Sequence, residues 1–376
     1  MRANNAFGKW WDDLKKHTKR RTHWVPNAKR LHRQLAGSRG FRLFTLCSRE
    51  MIDVFTLIKE GVISHDRARG KINDVKFCEM DPEIFPEITD MIGYVDSGFL
   101  GSLDEIALFQ DDRYTEKFTT QAQIDAELER LGEAIGADKL KRLNLKKTFL
   151  QLQDAFPFDF INLDYCSAYY PSPPDTMRIN SAIERMVQWQ SRVVLDNGSS
   201  HTLDRFLISV TCRFDKKLSK DAFQRMTRVV SDNLRQYPQY KIAVESDKAR
   251  SKISNWARKD GFDFFLSAWP KELLKIVEQH QWRMEILGFA YYDRKGDSGK
   301  PYEIVSLICE CSRALRPGSH EAQSLWALNR DNRIKIEALP KKSKERRELV
   351  SHLNSVVAHR NAQAKYAQRP LLPIVK

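Results

Sequence analysis

The chain of 376 residues has no apolar run approaching the ~20 residues of a membrane span, so no membrane-embedded segment is expected. Its opening residues, Met1-Arg2-Ala3-Asn4-Asn5, lack the apolar core of a signal peptide, and the expected setting is cytoplasmic. Its six cysteines, at 47, 78, 166, 212, 309 and 311, form no C-x-x-C pair. Each lies in or beside an apolar strand-like run, which argues against a disulfide framework or a zinc site and for small buried residues. No G-x-x-x-x-G-K-[S/T] loop is present, which argues against a P-loop enzyme. His320-Glu321 has no second histidine at metal spacing, so no metal site is expected. His201 follows Ser199 and Ser200, but adjacency in sequence has no triad meaning.

What the chain does have is basic charge, and that charge is uneven. Of a net +14, residues 1–50 hold 13 Lys and Arg against 3 Asp and Glu, and residues 331–376 hold 11 against 4. The body between them is therefore slightly acidic. Two basic ends on a near-neutral body point to a polyanion, most commonly nucleic acid, gripped by the ends. In residues 1–40, Lys15, Lys16, Lys19, Arg20, Arg21, Lys29 and Arg30 alternate with Trp10, Trp11 and Trp24. Such a mixture either binds phosphates and stacks on bases or docks an N-terminal helix on the body.

An apolar run at Arg42–Ser48 passes into a helical pattern from Glu50 to Ile63, with Gly61 near its stop. A strand that turns directly into a helix opens a doubly wound α/β sheet, and its turn is where such folds hold a nucleotide-like ligand. A second strand follows at Val75–Asp81 and leaves Glu79 and Asp81 at its end, just ahead of a helix over Pro82–Ile92. Asp81 is placed to cap that helix, which leaves Glu79 as the better partner for ribose hydroxyls.

Residues 93–108 allow a third strand, and residues 109–155 read as a charged helical insertion. Phe156–Ser167 is a fourth strand that delivers Asn162, Asp164 and Tyr165, followed by a helix over Ile179–Val194 and a strand at Arg205–Cys212. A helix over Lys220–Leu234 precedes a short strand near Ile242–Val244. Two long strands, Arg283–Tyr292 and Tyr302–Cys311, are separated by a polar turn. Past Arg313 lies a basic tail with a helical stretch from Lys342 to Ala364.

This order of strands, the acid after the second, the D/N-rich end of the fourth and the closing hairpin resemble class I S-adenosylmethionine-dependent methyltransferases, over roughly residues 40–312. The resemblance implies a doubly wound, seven-stranded, mostly parallel sheet with a C-terminal antiparallel hairpin. A helical insertion (109–155) and basic extensions (1–40 and 313–376) would complete it. It also implies S-adenosylmethionine as cofactor, bordered by Cys47, Ser48, Glu50, Glu79 and Asp81, with Asn162, Asp164 and Tyr165 facing the methyl acceptor. Two departures stand out. The first turn reads Leu46-Cys47-Ser48-Arg49-Glu50, without the family's Gly-x-Gly, and the fourth motif reads Asn-Leu-Asp-Tyr-Cys-Ser in place of N-P-P-Y.

Side chains where bare backbone should meet a ligand argue against ordinary cofactor binding. Two functions follow as expectations. One is methyl transfer to nucleic acid or a nucleic-acid-bound protein. The other is a catalytically inactive binding or scaffold subunit of a nucleic-acid-processing complex, such as a prokaryotic defence assembly, with protein partners.

Overall fold

Eight stretches pair into one sheet: β1 (Leu43–Leu46), β2 (Val75–Glu79), β3 (Gly98–Leu100), β4 (Phe160–Ala168), β5 (Arg205–Phe214), β6 (Trp282–Lys295), β7 (Pro301–Arg313) and β8 (Arg333–Lys335). The computed structural model describes residues 13–35, 39–109, 120–131, 137–168, 178–196, 199–214, 220–295, 301–313 and 320–375. Across the sheet the order is β8-β6-β7-β5-β4-β1-β2-β3. Neighbours from β5 to β3 run parallel, as do β6 and β8, whereas β7 is antiparallel to both β5 and β6. The result is a mixed α/β fold on a large, mostly parallel sheet.

Helices cover both faces. They are α1 (Leu14–Lys19), α2 (Val25–Leu35), α3 (Ile52–Lys59), α4 (Phe85–Ile92), α5 (Leu103–Ala107), α6 (Gln121–Leu131), α7 (Ala137–Ala155) and α8 (Arg178–Trp189). After them come α9 (Lys220–Gln236), α10 (Pro238–Ser246), α11 (Ile253–Lys259), α12 (Gly261–Gln279), α13 (His320–Leu328) and α14 (Lys344–Tyr366). Strand side chains alternate between the faces. Leu43, Phe77, Phe160, Leu207 and Ile308 meet Trp24, Ala28 and Leu31 near α2, Phe55 of α3, Met91 of α4 and Leu353 of α14. On the other face Phe44, Ile161, Leu163, Ile208 and Leu307 meet Leu152 of α7, Met186 of α8, Met226 of α9 and Trp269 of α12.

Several expectations are corrected. The sheet has eight strands, not seven, because Arg333–Lys335 pairs with β6. Three residues with one apolar side chain carry no strand signal, and an edge strand is recruited by the unpaired backbone it covers. Ile242–Val244 lies within helix α10: Pro238 sets its first turn, and Tyr240 and Val244, four apart, bury one side. The helix expected to reach Val194 ends at Trp189. Val193–Asp196 then pairs antiparallel with Ser199–Thr202, which puts His201 in a ribbon. Within the expected insertion, α7 buries Leu152 in the core and α6 packs on α7. The basic tail is docked: α14 lies along α3 and touches α1. Trp10, Trp11, Pro171, Pro173 and Pro174 lie outside the described residues. No helix among the described residues is long and apolar enough to cross a membrane.

The N-terminal helix is continuous through a π-helical turn, Arg20–Trp24, that joins α1 to α2. It lies close against the sheet at Gly288, where a Cβ would collide with Cδ2 of His23. A side chain at 288 has no room unless the His23 ring, or the helix that carries it, shifts. Gly288→Ala is therefore expected to cost about 1–3 kcal/mol in chemical denaturation. A variant as stable as the parent would show that the helix is not seated there.

Candidate functional site

The carboxyl ends of β2, β1, β4 and β5 lie side by side. Leu46 is in register with Cys78, Thr45 with Asn162, and Asp164 with Thr211, so Glu79, Cys47, Asp164 and Thr211 follow one another along one rim. In α/β sheets this rim is where ligands meet the fold. The polar residues beneath it share one face. Asn162 Nδ2 donates to Thr45 Oγ1 at 3.1 Å, and the hydroxyls of Thr211 and Ser306 are 2.8 Å apart.

That face is covered by the chain's own N-terminal helix. Asp13 caps α1 by accepting from the backbone N–H groups of Lys15 and Lys16. From there Lys16 Nζ reaches Asp164 Oδ2 at 2.6 Å, Lys19 Nζ donates to Thr211 Oγ1 at 2.9 Å, and Arg20 Nε donates to Asp53. Lys19 and Arg20 are buried, a placement long cations tolerate only with partners. The π-helical turn widens the helix where Arg20, His23 and Trp24 all turn inward.

The charges tune one another. Burial pulls the Lys16 ammonium down, but Asp164 and Asp53 outweigh it and hold it above its ordinary value. Burial lowers Lys19 to about 8, against the opposing pull of Asp164. Burial alone would raise Asp164, yet Lys16 and Lys19 bring it down to about 2. Glu79 moves the other way, raised by burial although it accepts from the Asp81 and Met80 backbone. Among the described residues, the buried polar atoms without a hydrogen-bond partner include Asn162 Oδ1, Ser209 Oγ, Arg20 Nη1 and Trp24 Nε1.

The expected residues divide among different places. Cys47, Glu79, Asn162 and Asp164 come together on the covered face. Tyr165, next along β4, packs on the opposite face, because a pleated strand turns successive side chains apart. Ser48 is exposed in the turn, whereas Glu50 is buried there and its carboxyl is raised by burial. Asp81 caps the next turn, accepting from the backbone N–H of Glu83 at 2.8 Å. Among the basic residues expected at a nucleic-acid surface, Lys16, Lys19 and Arg20 are engaged inside. Lys15 pairs with Asp293, Lys29 with Glu60 and Arg30 with Glu310. Arg21 is exposed. Thr45, Asp53, Ser209, Thr211 and Ser306 belong to the site and were not expected. For Thr45, Ser209, Thr211 and Ser306 the signal was polar residues at alternate positions of otherwise apolar strands; Asp53, in the first turn of α3, carried none.

A cleft of about 630 Å³ opens at the outer end of α1, between Lys15, Asp293, Arg294, Arg346 and Ile374, away from Cys47 and Glu79. Among the described residues no cluster of His, Cys, Asp and Glu could hold a metal ion.

By fold and site this is a mixed α/β protein whose sheet carries a polar rim beneath its own N-terminal helix. Residues 135–367, more than half of the chain, match the model of the PP_RS20740-like family, and the chain belongs to that family. The match runs from α7 through α14, taking in Asp164 and Thr211 but not Cys47, Glu79 or the N-terminal helix. No curated protein and no solved structure matches the chain.

Asp164→Ala removes the carboxylate shared by Lys16 and Lys19 and is expected to cost about 3–5 kcal/mol at neutral pH, read by urea denaturation. A loss of a few tenths would show that the pair is not buried. A second expectation concerns His17, fully buried on α1 and 2.9 Å from His352. Burial, then Arg20 and His352, hold it down at about 2. The unfolded chain takes up this proton near pH 6.5 and the fold does not. His17's contribution is thus complete above about pH 6.5 and falls by up to about 1.4 kcal/mol per unit below it. His17→Gln should flatten the slope of stability against pH in acid; an unaltered slope would assign it elsewhere.

Proposed function

We propose that the chain is a methyltransferase-fold protein that works with nucleic acid as a binding subunit, not as a methyl-transfer catalyst. The fold half of this reading is supported by the strand order β3-β2-β1-β4-β5, which is that of a doubly wound sheet, followed by an antiparallel β7 between β5 and β6. That hairpin is what the resemblance implies, and β8 is an addition to it.

The observation that carries the functional half is the ion pair of Lys16 and Asp164. S-adenosylmethionine would place its methionine end against the turn after β1 and its ribose on Glu79. Glu79 suits the ribose, being half-buried at the rim. The rest does not suit the donor. The turn bears Cys47, Glu50 and Met51 side chains, all buried, with Met51 itself in the left-handed region at φ 53°. Lys16, Lys19 and Arg20 fill the adjoining polar face. A ligand there would have to displace a mostly buried ion pair and leave Asp164 without its cation, at a cost of a few kcal/mol.

Nucleic acid is supported by where the basic ends meet. His17 of α1 and His352 of α14 are joined at 2.9 Å, so both basic stretches lie on one side of the molecule.

Calorimetric titration of the full chain with S-adenosylmethionine tests the reading. No binding heat is expected. Binding that Glu79→Ala weakens would overturn it in favour of a methyltransferase whose helix withdraws.

A further inference from the structure

Most cations expected to grip a polyanion are consumed by carboxylates, which leaves only the others to meet one. Helix α14 lies against α1 and α3, and along that seam His352, His359 and Tyr366 recur every seven residues on one side of the helix. Arg21 and Lys59, both exposed, stand close enough to His352 to lower it. Arg67 Nη2 lies 3.2 Å from His359 Nδ1, and Lys59 also acts on that ring. Further along, the Tyr366 ring lies over Gly70 and is 58% exposed.

The acids beside this row are already paired, Glu60 in part with the row's own His352. Glu60 takes Lys29 and His352, and Asp66 takes Arg69. Among the described residues Arg21, Lys59 and Arg67 face no carboxylate within ion-pair distance. From His352 to Tyr366 the helix rises about 21 Å, room for about three or four nucleotides of an extended strand.

We propose that this seam is a track for single-stranded nucleic acid, with Arg21, Lys59 and Arg67 on successive phosphates and the Tyr366 ring stacked on an unpaired base. The assignment rests on the reading that the protein works with nucleic acid, and it names the strand state and the residues. A duplex offers phosphates but no free base face, so an exposed ring at the end of a cationic row favours a single strand. A membrane surface would call for an apolar face beside the cations. Here the row itself is polar.

Fluorescence anisotropy with a labelled oligothymidylate of about 12 nucleotides, and with the same length of duplex, tests this on the full chain. Single-strand affinity should fall with salt at a logarithmic slope near about −2, for three phosphates. The exposed triple variant R21E/K59E/R67E should bind at least about tenfold more weakly. A charge-matched triple on the α10–α11 side, K248E/K252E/K259E, should stay within about threefold. Tyr366→Ala should lose about fivefold or more without changing the salt slope, and Tyr366→Phe should restore it. Melting curves establish that each variant is folded.

Equal losses in both triples would overturn the seam while leaving the nucleic-acid reading in place. Duplex bound as tightly, with Tyr366→Ala silent, would overturn the single-strand assignment. Binding to phosphatidylserine vesicles but not to oligonucleotide would assign the face to a membrane. No binding to either nucleic acid at low salt would remove the nucleic-acid reading, and the track with it.

Discussion

A lysine on an aspartate, both mostly shielded from solvent, Lys16 on Asp164, is the contact on which the rest of the arrangement depends. It ties the first helix of the chain to the carboxyl end of a central strand, 2.6 Å apart, with Lys19 and Arg20 completing a cationic row beneath the helix. Two charges taken out of water this way are worth little as a pair, since desolvation consumes most of their attraction. Their effect is positional: neither partner can leave without stranding the other. The helix is thereby committed to one place on the sheet, and the apolar contacts of Trp24, Ala28 and Leu31 then add the stabilisation.

The same contact decides what the rim can do. A row of Glu79, Cys47, Asp164 and Thr211 at the ends of parallel strands is where an α/β protein presents chemistry, and here the chain presents it to itself. Asp164 is held far below an ordinary carboxyl by two lysines, which makes it a poor base near neutral pH. Tyr165 points through the sheet to the other side. The pair expected to face one acceptor is divided by the pleat of the strand.

The closing of the rim also redistributes charge. Cations that look available in a list of residues are spent on Asp164, Asp53, Asp293, Glu60 and Glu310. Among those that remain outside, Arg21, Lys59 and Arg67 come from three separate stretches and are brought together because α14 packs along α3. Docking does not consume every cation of the N-terminal helix. One face of the N-terminal helix seats it on the sheet, while Arg21 stays in solvent beside α14.

The sequence alone determined a strand-and-helix alternation and the acids at strand ends from residues 42–63, 75–92 and 156–167, and the two long strands of the hairpin from residues 283–311. Apolar periodicity is a local property, and these stretches carry it strongly. It failed where the signal was short or shared: Arg333–Lys335, with one apolar residue, became a strand because β6 had an edge to cover. Ile242–Val244 became helical because Pro238 and the spacing of Tyr240 and Val244 outweigh the β-branched Ile242 and Val244. Only the tertiary structure decided that both basic ends fold back onto the body and that Lys16 lies in the rim. Which of many lysines meets which of many carboxylates depends on how helices pack across the whole chain, and no window of neighbouring residues contains that distance.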